Sequence, residues 1–269
     1  MIRLLLLGHH GMLGHTVYDY FTAKPDTYTV TVTEERWDIA YFRATLKNSI
    51  ADFVINCIGK IPQKKPTDDT LYTALNFDLP VFLETTGKRI IHPSTDCEFS
   101  GTLLPGSAYT KNSPRDATDA YGHSKALISK KIEDEFTNTK IIRTSIIGHE
   151  YHTNLSLLDW FLSQSGSVHG YTNHYWNGVT TLEWTKQCAR LMEYWVDRPT
   201  LNQFGTEHYY SKYDVLNIIK NVYKKDTVIE PFETEQTVNK CLISDSKIPS
   251  LEEQLAELRI FFKNKPIKI

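Results

Sequence analysis

Apolar residues run from Ile2 to Leu7, broken only by Arg3, the pattern of a central strand covered on both faces. Gly8-His9-His10-Gly11-Met12-Leu13-Gly14 follows, and then an apolar-periodic segment to about Phe21 that predicts a helix. Tyr28 to Thr33 alternates in β-branched residues and reads as a second strand. Phe53-Val54-Ile55-Asn56-Cys57-Ile58-Gly59 predicts a third, buried strand ending in glycine. Asp68 to Glu84 reads as a helix, with Pro80 as a kink or local break. Arg89-Ile90-Ile91-His92 is a fourth strand, and Pro93-Ser94-Thr95-Asp96 turns off its end. Gly101 to Thr118 is a loop rich in Gly, Pro, Ser and Asn, long enough to be functional or a lid. A helix is expected from about Asp119 to Phe136, then a strand over Lys140–Ser145. Strand and helix alternate throughout this half, so a doubly wound parallel sheet follows.

The pattern loosens after about residue 150. Leu155–Leu162, Thr181–Val196, Ser211–Tyr223 and Leu251–Phe262 read as helices, and Val168–Val179 as aromatic and irregular. The expected organisation is a sheet domain over residues 1–150, with later segments returning to it, and a smaller lobe over 151–269 that closes over the crevice.

A chain of 269 residues with 41% hydrophobic and 23% charged residues fits one large α/β domain with a smaller lobe. A net charge of −2 gives no electrostatic footprint for nucleic acid. Cys57, Cys97, Cys188 and Cys241 are far apart and form no CxxC pair, which argues against zinc or redox motifs and for a reduced, cytoplasmic protein. No metal site is expected, because the ten histidines show no ligand spacing. The apolar N-terminus is too short to span a membrane and lacks a small-residue cleavage site.

Three stretches carry candidate chemistry. The strand–GxxGxxG–helix context at residue 8 predicts a dinucleotide site, because glycines let backbone N–H groups approach a pyrophosphate at a helix N-terminus. At the end of the second strand, Thr33 stands where NAD binders often carry an acid, followed by Glu34, Glu35 and Arg36. Arg36 could pair with a 2′-phosphate, so NADP(H) is favoured and NAD(H) stays open. Tyr121 and Lys125 lie four apart on one helix face, where an ammonium beside the phenol would lower its pKa and ready it to protonate a carbonyl oxygen as hydride arrives. Thr95, leaving the C-terminal edge of the sheet, points to the same crevice as the glycine turn.

These stretches occur in a familiar order. Gly8-His9-His10-Gly11-Met12-Leu13-Gly14, Ser94-Thr95-Asp96-Cys97-Glu98-Phe99-Ser100-Gly101, Tyr121-Gly122-His123-Ser124-Lys125 and Ile142-Arg143-Thr144-Ser145 resemble the extended short-chain dehydrogenase/reductases, and within them the dTDP-4-dehydrorhamnose reductase group. Asn76-Phe77-Asp78-Leu79-Pro80, Trp176-Asn177-Gly178-Val179-Thr180-Thr181 and Ser211-Lys212-Tyr213-Asp214 extend the resemblance over nearly the whole chain. It implies a Rossmann-type sheet with a C-terminal substrate-binding lobe. It also implies that Thr95 hydrogen-bonds the substrate carbonyl, that Tyr121 is the acid, and that Lys125 lowers its pKa and holds the nicotinamide ribose. Gly8, Gly11, Met12 and Leu13 would meet the pyrophosphate, Asp38 and Ile39 the adenine, and Cys57, Ile58 and Gly59 the cofactor ribose. Asp96, Cys97, Ile146, Trp176, Asn177 and Thr180 fall on the nucleotide-sugar side. Cys97 stands in place of the usual Tyr, and Glu98 in place of an apolar residue.

The implied activity is reduction of a nucleotide-linked 4-keto-6-deoxy sugar, in deoxysugar or polysaccharide precursor biosynthesis, with no nucleic-acid or membrane partner; a homodimer is compatible with it. An epimerase or dehydratase on the same scaffold, or a catalytically silent NAD(P)-binding regulatory subunit, stays open.

Overall fold

The computed structural model describes residues 1–37, 40–64, 69–263 and 265. Strand β1 (Ile2–Leu7) leads to helix α1 (Met12–Thr22), β2 (Tyr28–Val32), α2 (Ala40–Asn48) and β3 (Phe53–Asn56). Helix α3 (Asp69–Tyr72), a π-helical turn (Thr73–Asp78) and α4 (Leu79–Glu84) come next, then β4 (Arg89–Ser94), a 3-10 turn (Asp96–Glu98), α5 (Ala120–Glu135) and β5 (Thr139–Arg143). The chain continues through β6 (Ile146–Ile147), α6 (Leu157–Ser163), β7 (Ser167–Tyr171), β8 (His174–Trp176), β9 (Val179–Thr180), α7 (Thr181–Glu193) and β10 (Leu201–Gln203). It ends with β11 (Tyr210–Ser211), α8 (Lys212–Tyr223), β12 (Val228–Phe232), β13 (Val238–Asn239) and α9 (Leu251–Phe262).

The leucines of β1 divide between two cores. Leu4 and Leu6 face α1 and α7, packing with Val17, Phe21 and Trp184. Leu5 and Leu7 face α2 and α4, packing with Phe42, Leu46 and Leu83. Because side chains alternate along a strand, burial on both faces demands an unbroken apolar run. The sheet is parallel throughout, in the order β10-β5-β4-β3-β1-β2, a Rossmann-type arrangement. After β2 the chain crosses back past β1, so the strand order reverses between β1 and β3. Ligands of such sheets bind beyond the strand ends at that reversal. A separate core joins residues from α6, α8 and α9, among them Phe161, Ile219 and Leu258.

Element positions depart from the sequence reading in instructive places. Val168–Val179 holds β7, β8 and β9 and is not irregular; each is short and pairs with a distant partner, β12, β11 with β13, and β6. Pro80 makes no break of its own. It sits in the first turn of α4, where a missing N–H costs nothing. The expected break is the π-turn before it. Helix α7 stops at Glu193, short of Val196, and the fifth strand stops at Arg143, short of Ser145. Asp38 and Ile39, the expected adenine contacts, and Asp68 lie outside the described residues.

Candidate active site

The glycine turn is built for close backbone approach. Gly8 has φ +76, and a Cβ there would lie 2.9 Å from the backbone of Cys57; the turn and the end of β3 therefore touch. A Cβ on Gly14 would lie 2.0 Å from the Gly8 carbonyl oxygen, whereas one on Gly11 would meet only that oxygen, at 3.4 Å. Gly11 is the N-cap of α1, with no side-chain cap and no acid in the first turn. The first N–H groups of a helix have no intrahelical acceptor and form a ready anion site. The turn has the form of a dinucleotide pyrophosphate site, which Gly8, Gly11, Met12 and Leu13 could line, the Gly11 N–H itself donating to Gly8 O at 3.0 Å. Behind it, the Cys57 N–H donates to Leu7 O at 2.9 Å and the Ile58 N–H to Asn56 Oδ1 at 3.1 Å; Gly59 is exposed next to them.

Thr95 and the head of α5 are joined by a second close approach. Thr95 is the N-cap of the 3-10 turn; its hydroxyl accepts from the Cys97 N–H at 3.1 Å and donates to Asp96 Oδ1 at 3.0 Å. Asp119 caps α5 by accepting from the Gly122 N–H at 2.8 Å. A Cβ on Gly122 would lie 2.2 Å from Cys97 O, so the glycine after Tyr121 lets the first turn of α5 press on the Thr95–Cys97 turn. Thr95 is the polar side chain that acts on the Tyr121 phenol there. Burial pushes the Cys97 thiol up to about 12, which makes it a small buried apolar group more than a nucleophile.

Lys125 does not do what the YxxxK spacing predicts. Its ammonium donates to Pro93 O at 2.7 Å and lies 3.1 Å from His92 Nε2, so its contacts run back into β4. Tyr121 has its pKa raised, because burial outweighs the opposing effect of the neighbouring Thr95. The expected lowering of the phenol by Lys125 is therefore absent, and Tyr121 holds its proton. Lys125 itself is lowered to about 8, by burial first, with Glu98 acting the other way. His92 is buried, lowered well below its ordinary value by burial and then by Lys125, and reaches Asn56 Nδ2 through Nδ1 at 3.3 Å. Ile58, Asn56, His92 and Lys125 thus form one line of close polar contacts from the strand end beside the glycine turn to α5. Nothing in the sequence flags His92, which lies 33 residues from Lys125.

The floor beneath Thr95 is a buried charge cluster. Glu98, fully buried, accepts from Arg143 Nη2 at 2.7 Å and Arg115 Nε at 2.7 Å through Oε2, and from the Ser129 and Ser94 hydroxyls through Oε1. Asn76, on the π-turn, clasps the backbone of Lys60 from both sides and donates to Ser124 Oγ at 3.0 Å.

On the opposite wall Ile146 is partly buried at the edge of the sheet core, and Trp176 is buried in the second core. The ammonium of Lys212 sits 5.3 Å from the Trp176 ring centre. Burial lowers its pKa, and Asp96 is the charge that opposes this most. Lys212 brings a cation toward Asp96 that the capped sequence Ser211-Lys212-Tyr213-Asp214 does not announce. Asn177 spends its amide on Thr206 O, Leu242 O and the Leu242 N–H. Thr180 caps α7 and is buried. Arg36 is exposed just beyond β2. Among the described residues one group could hold a metal ion, His9, His10 and Glu34, assembled across 24 residues of sequence.

Comparison with known proteins places this geometry. The family described as RmlD substrate binding domain matches residues 2–242. No curated protein sequence matches. Among solved structures, a dTDP-4-dehydrorhamnose reductase from Clostridium acetobutylicum shares 16% identity with a TM-score of 0.83, over 97% of this chain and 100% of that one. Another from Bacillus anthracis, in complex with NADP, shares 14% identity with a TM-score of 0.84, over 97% and 99%. A UDP-glucose 4-epimerase from Thermotoga maritima, with UDP-glucose, shares 14% identity with a TM-score of 0.75, again over 97% and 99%. At such identities the likeness is one of fold. Among the described residues no helix is long and apolar enough to cross a membrane.

Proposed function

Because the chain belongs to the family described as RmlD substrate binding domain, we propose that it is a cytoplasmic NADP(H)-dependent reductase of a nucleotide-linked 4-keto-6-deoxy sugar. The observation that carries this is the meeting of Thr95 and the head of α5 at the C-terminal edge of the sheet, with Lys125 linked through His92 and Asn56 to the strand end beside the glycine turn. The reduced nicotinamide cofactor would supply hydride to the carbonyl carbon. Tyr121 holds a proton and delivers it to the carbonyl oxygen. Thr95, between Tyr121 and Asp96, orients that oxygen, and the Lys125 charge stabilises the negative charge that develops there. The sugar nucleotide would lie along Asp96, Cys97, Ile146 and Trp176, with Lys212 offering a cation. NADPH oxidation over a panel of nucleotide 4-keto sugars, with products identified by mass spectrometry and NMR, tests the reading. Turnover of none of them, with cofactor still bound, would replace it with a regulatory binding subunit.

Two expected outcomes belong to this site. Gly11→Val should weaken NADPH binding about 10- to 150-fold, the loss of one charge-assisted hydrogen bond of about 1.5–3 kcal/mol, while thermal unfolding is nearly unchanged, since Gly11 has ordinary φ and room for a Cβ. Calorimetric titration beside a melting curve checks both halves. Gly14→Ala is the contrasting variant and should fail to fold well. The second outcome concerns pH. Lys125 is lowered to about 8, so it is charged below that value and neutral above it. If its charge serves the transition state, kcat/KM should fall about tenfold per pH unit above about pH 8. A level profile from pH 8 to 10 would remove Lys125 from that role.

A further inference from the structure

Glu34, just past the end of β2, meets both histidines of the glycine turn. Strands β1 and β2 run parallel with Leu6 beside Val32, so the residues that follow each strand stand level with one another. Glu34 Oε1 lies 3.0 Å from His9 Nε2, and its Oε2 lies 3.0 Å from His10 Nε2. The two imidazoles turn to the same side although they are consecutive in the chain, with ring centres 3.9 Å apart. One ligand atom from each of the three side chains thus lies within 4.8 Å of the other two. His9 is mostly covered, whereas His10 and Glu34 are open to solvent.

We propose that His9, His10 and Glu34 bind one divalent transition-metal ion of the zinc class, which fastens the glycine turn to the end of β2. The site is independent of the reaction proposed above. Imidazole nitrogen and carboxylate oxygen are both zinc ligands, and three protein ligands leave a fourth place for water. Tetrahedral bonds of about 2.0–2.1 Å put neighbouring ligand atoms about 3.3 Å apart. That is close to the 3.0 Å that separates Glu34 from each imidazole. The covered His9 is the fixed member, and the two exposed side chains have room to close the remaining gap. Their mutual contact, His10 Nε2 to Glu34 Oε2, already gathers them in the absence of an ion, which lowers the cost of ordering them. Imidazole suits zinc, cobalt, nickel and copper ions, whereas magnesium and calcium take oxygen ligands. A search of the sequence for ligand spacing misses the set, because two members are consecutive and the third arrives from the neighbouring strand.

The test is calorimetric titration of the full chain, stripped of metal beforehand, with zinc chloride at one neutral pH. The expected result is one ion per chain at this site. His10→Ala or Glu34→Gln should weaken that binding by at least the 10- to 100-fold that loss of a mere supporting partner of a ligand typically costs, about 10-fold at the least. Both side chains are exposed, so the metal-free melting curves of the variants should match the wild type. Zinc in about hundredfold excess over its Kd should raise the wild-type melting temperature by several degrees, and EDTA should reverse the rise. The double variant His10→Ala with Glu34→Gln should show no such rise. Cobalt(II) should give the visible absorption of a tetrahedral ion in the wild type and lose it in the double variant. The chain has ten histidines, so the difference between wild type and double variant is the quantity that decides. Zinc bound no more tightly by the wild type than by the double variant overturns the site and leaves a hydrogen-bonded clamp only. Magnesium bound as tightly as zinc overturns the assignment to the zinc class.

Discussion

Tyr121→Phe is expected to lower kcat by about 10²–10⁴-fold, the usual worth of a placed general acid, with NADPH affinity largely kept. The variant loses one hydroxyl. The ring stays in its contact with Tyr72, and Gly122 still allows α5 to press on the Thr95 turn, so the fold has no reason to change. What is lost is the group at the meeting of Thr95 and α5 that carries a proton. Because burial raises the Tyr121 pKa, the phenol stays protonated through the neutral and mildly basic range. Any basic limb of the wild-type pH profile near 8 is therefore assigned to Lys125. Lys125→Ala should lower kcat and weaken cofactor binding together, since that ammonium is tied through His92 and Asn56 to the Ile58 N–H beside the cofactor turn. Steady-state kinetics with the reducible sugar nucleotide, beside calorimetry with NADPH, separates the two variants. Near-full activity in Tyr121→Phe would end the proposed proton transfer.

Glu98→Ala is expected to destabilise the protein by about 3–5 kcal/mol, the measured order for removing one partner of a buried ion pair. Arg143, itself fully buried, would keep its charge with only Gln203 Oε1 at 3.0 Å to accept from it. Its Nε already has no partner, so the guanidinium has nothing else to turn to. For a chain of this size the loss corresponds to a melting temperature lower by roughly 6–20 °C. The paired variant Glu98→Leu with Arg143→Met should recover most of it, because apolar groups of similar volume often match a buried ion pair. If the double variant is as unstable as the single one, Ser94, Ser129 and Arg115 need the carboxylate on their own account.

Much of the sheet half was legible because its physics is local. An apolar run has to be a two-faced strand. A glycine turn with a helix behind it has to leave N–H groups free. Asp119 ahead of Gly122 caps a helix whatever the rest of the fold does. The misses are contacts between distant residues. His92 and Lys125 meet only because β4 and α5 are laid side by side. Glu34 reaches His9 and His10 because β1 and β2 are neighbours in register. Glu98 reads in sequence as a polar residue in an apolar place, and only the arrival of Arg143 from β5 and Arg115 from the loop explains it. Strands β7, β8 and β9 escaped because two to five residues carry little periodicity, and their partners lie elsewhere in the chain. The YxxxK spacing led to the right helix face but not to the direction in which the ammonium points.

Strand β10 settles the order in which the chain can be completed. It pairs with β5 through Leu201, Asn202 and Gln203, yet residues 144–200 must emerge between the two. Until they have, β5 is the outer edge of a five-stranded sheet, with Ile141 and Ile142 beside unpaired backbone groups. Such an edge invites pairing with another chain, and non-local pairing of this kind is slow to form. During synthesis the first half can gather around β1 as soon as β5 has left the ribosome, but it stays adhesive until residue 203 follows. A fragment ending near residue 150 would carry every glycine of the first turn together with Thr95, Tyr121 and Lys125. It would also lack the strand that keeps it from aggregating.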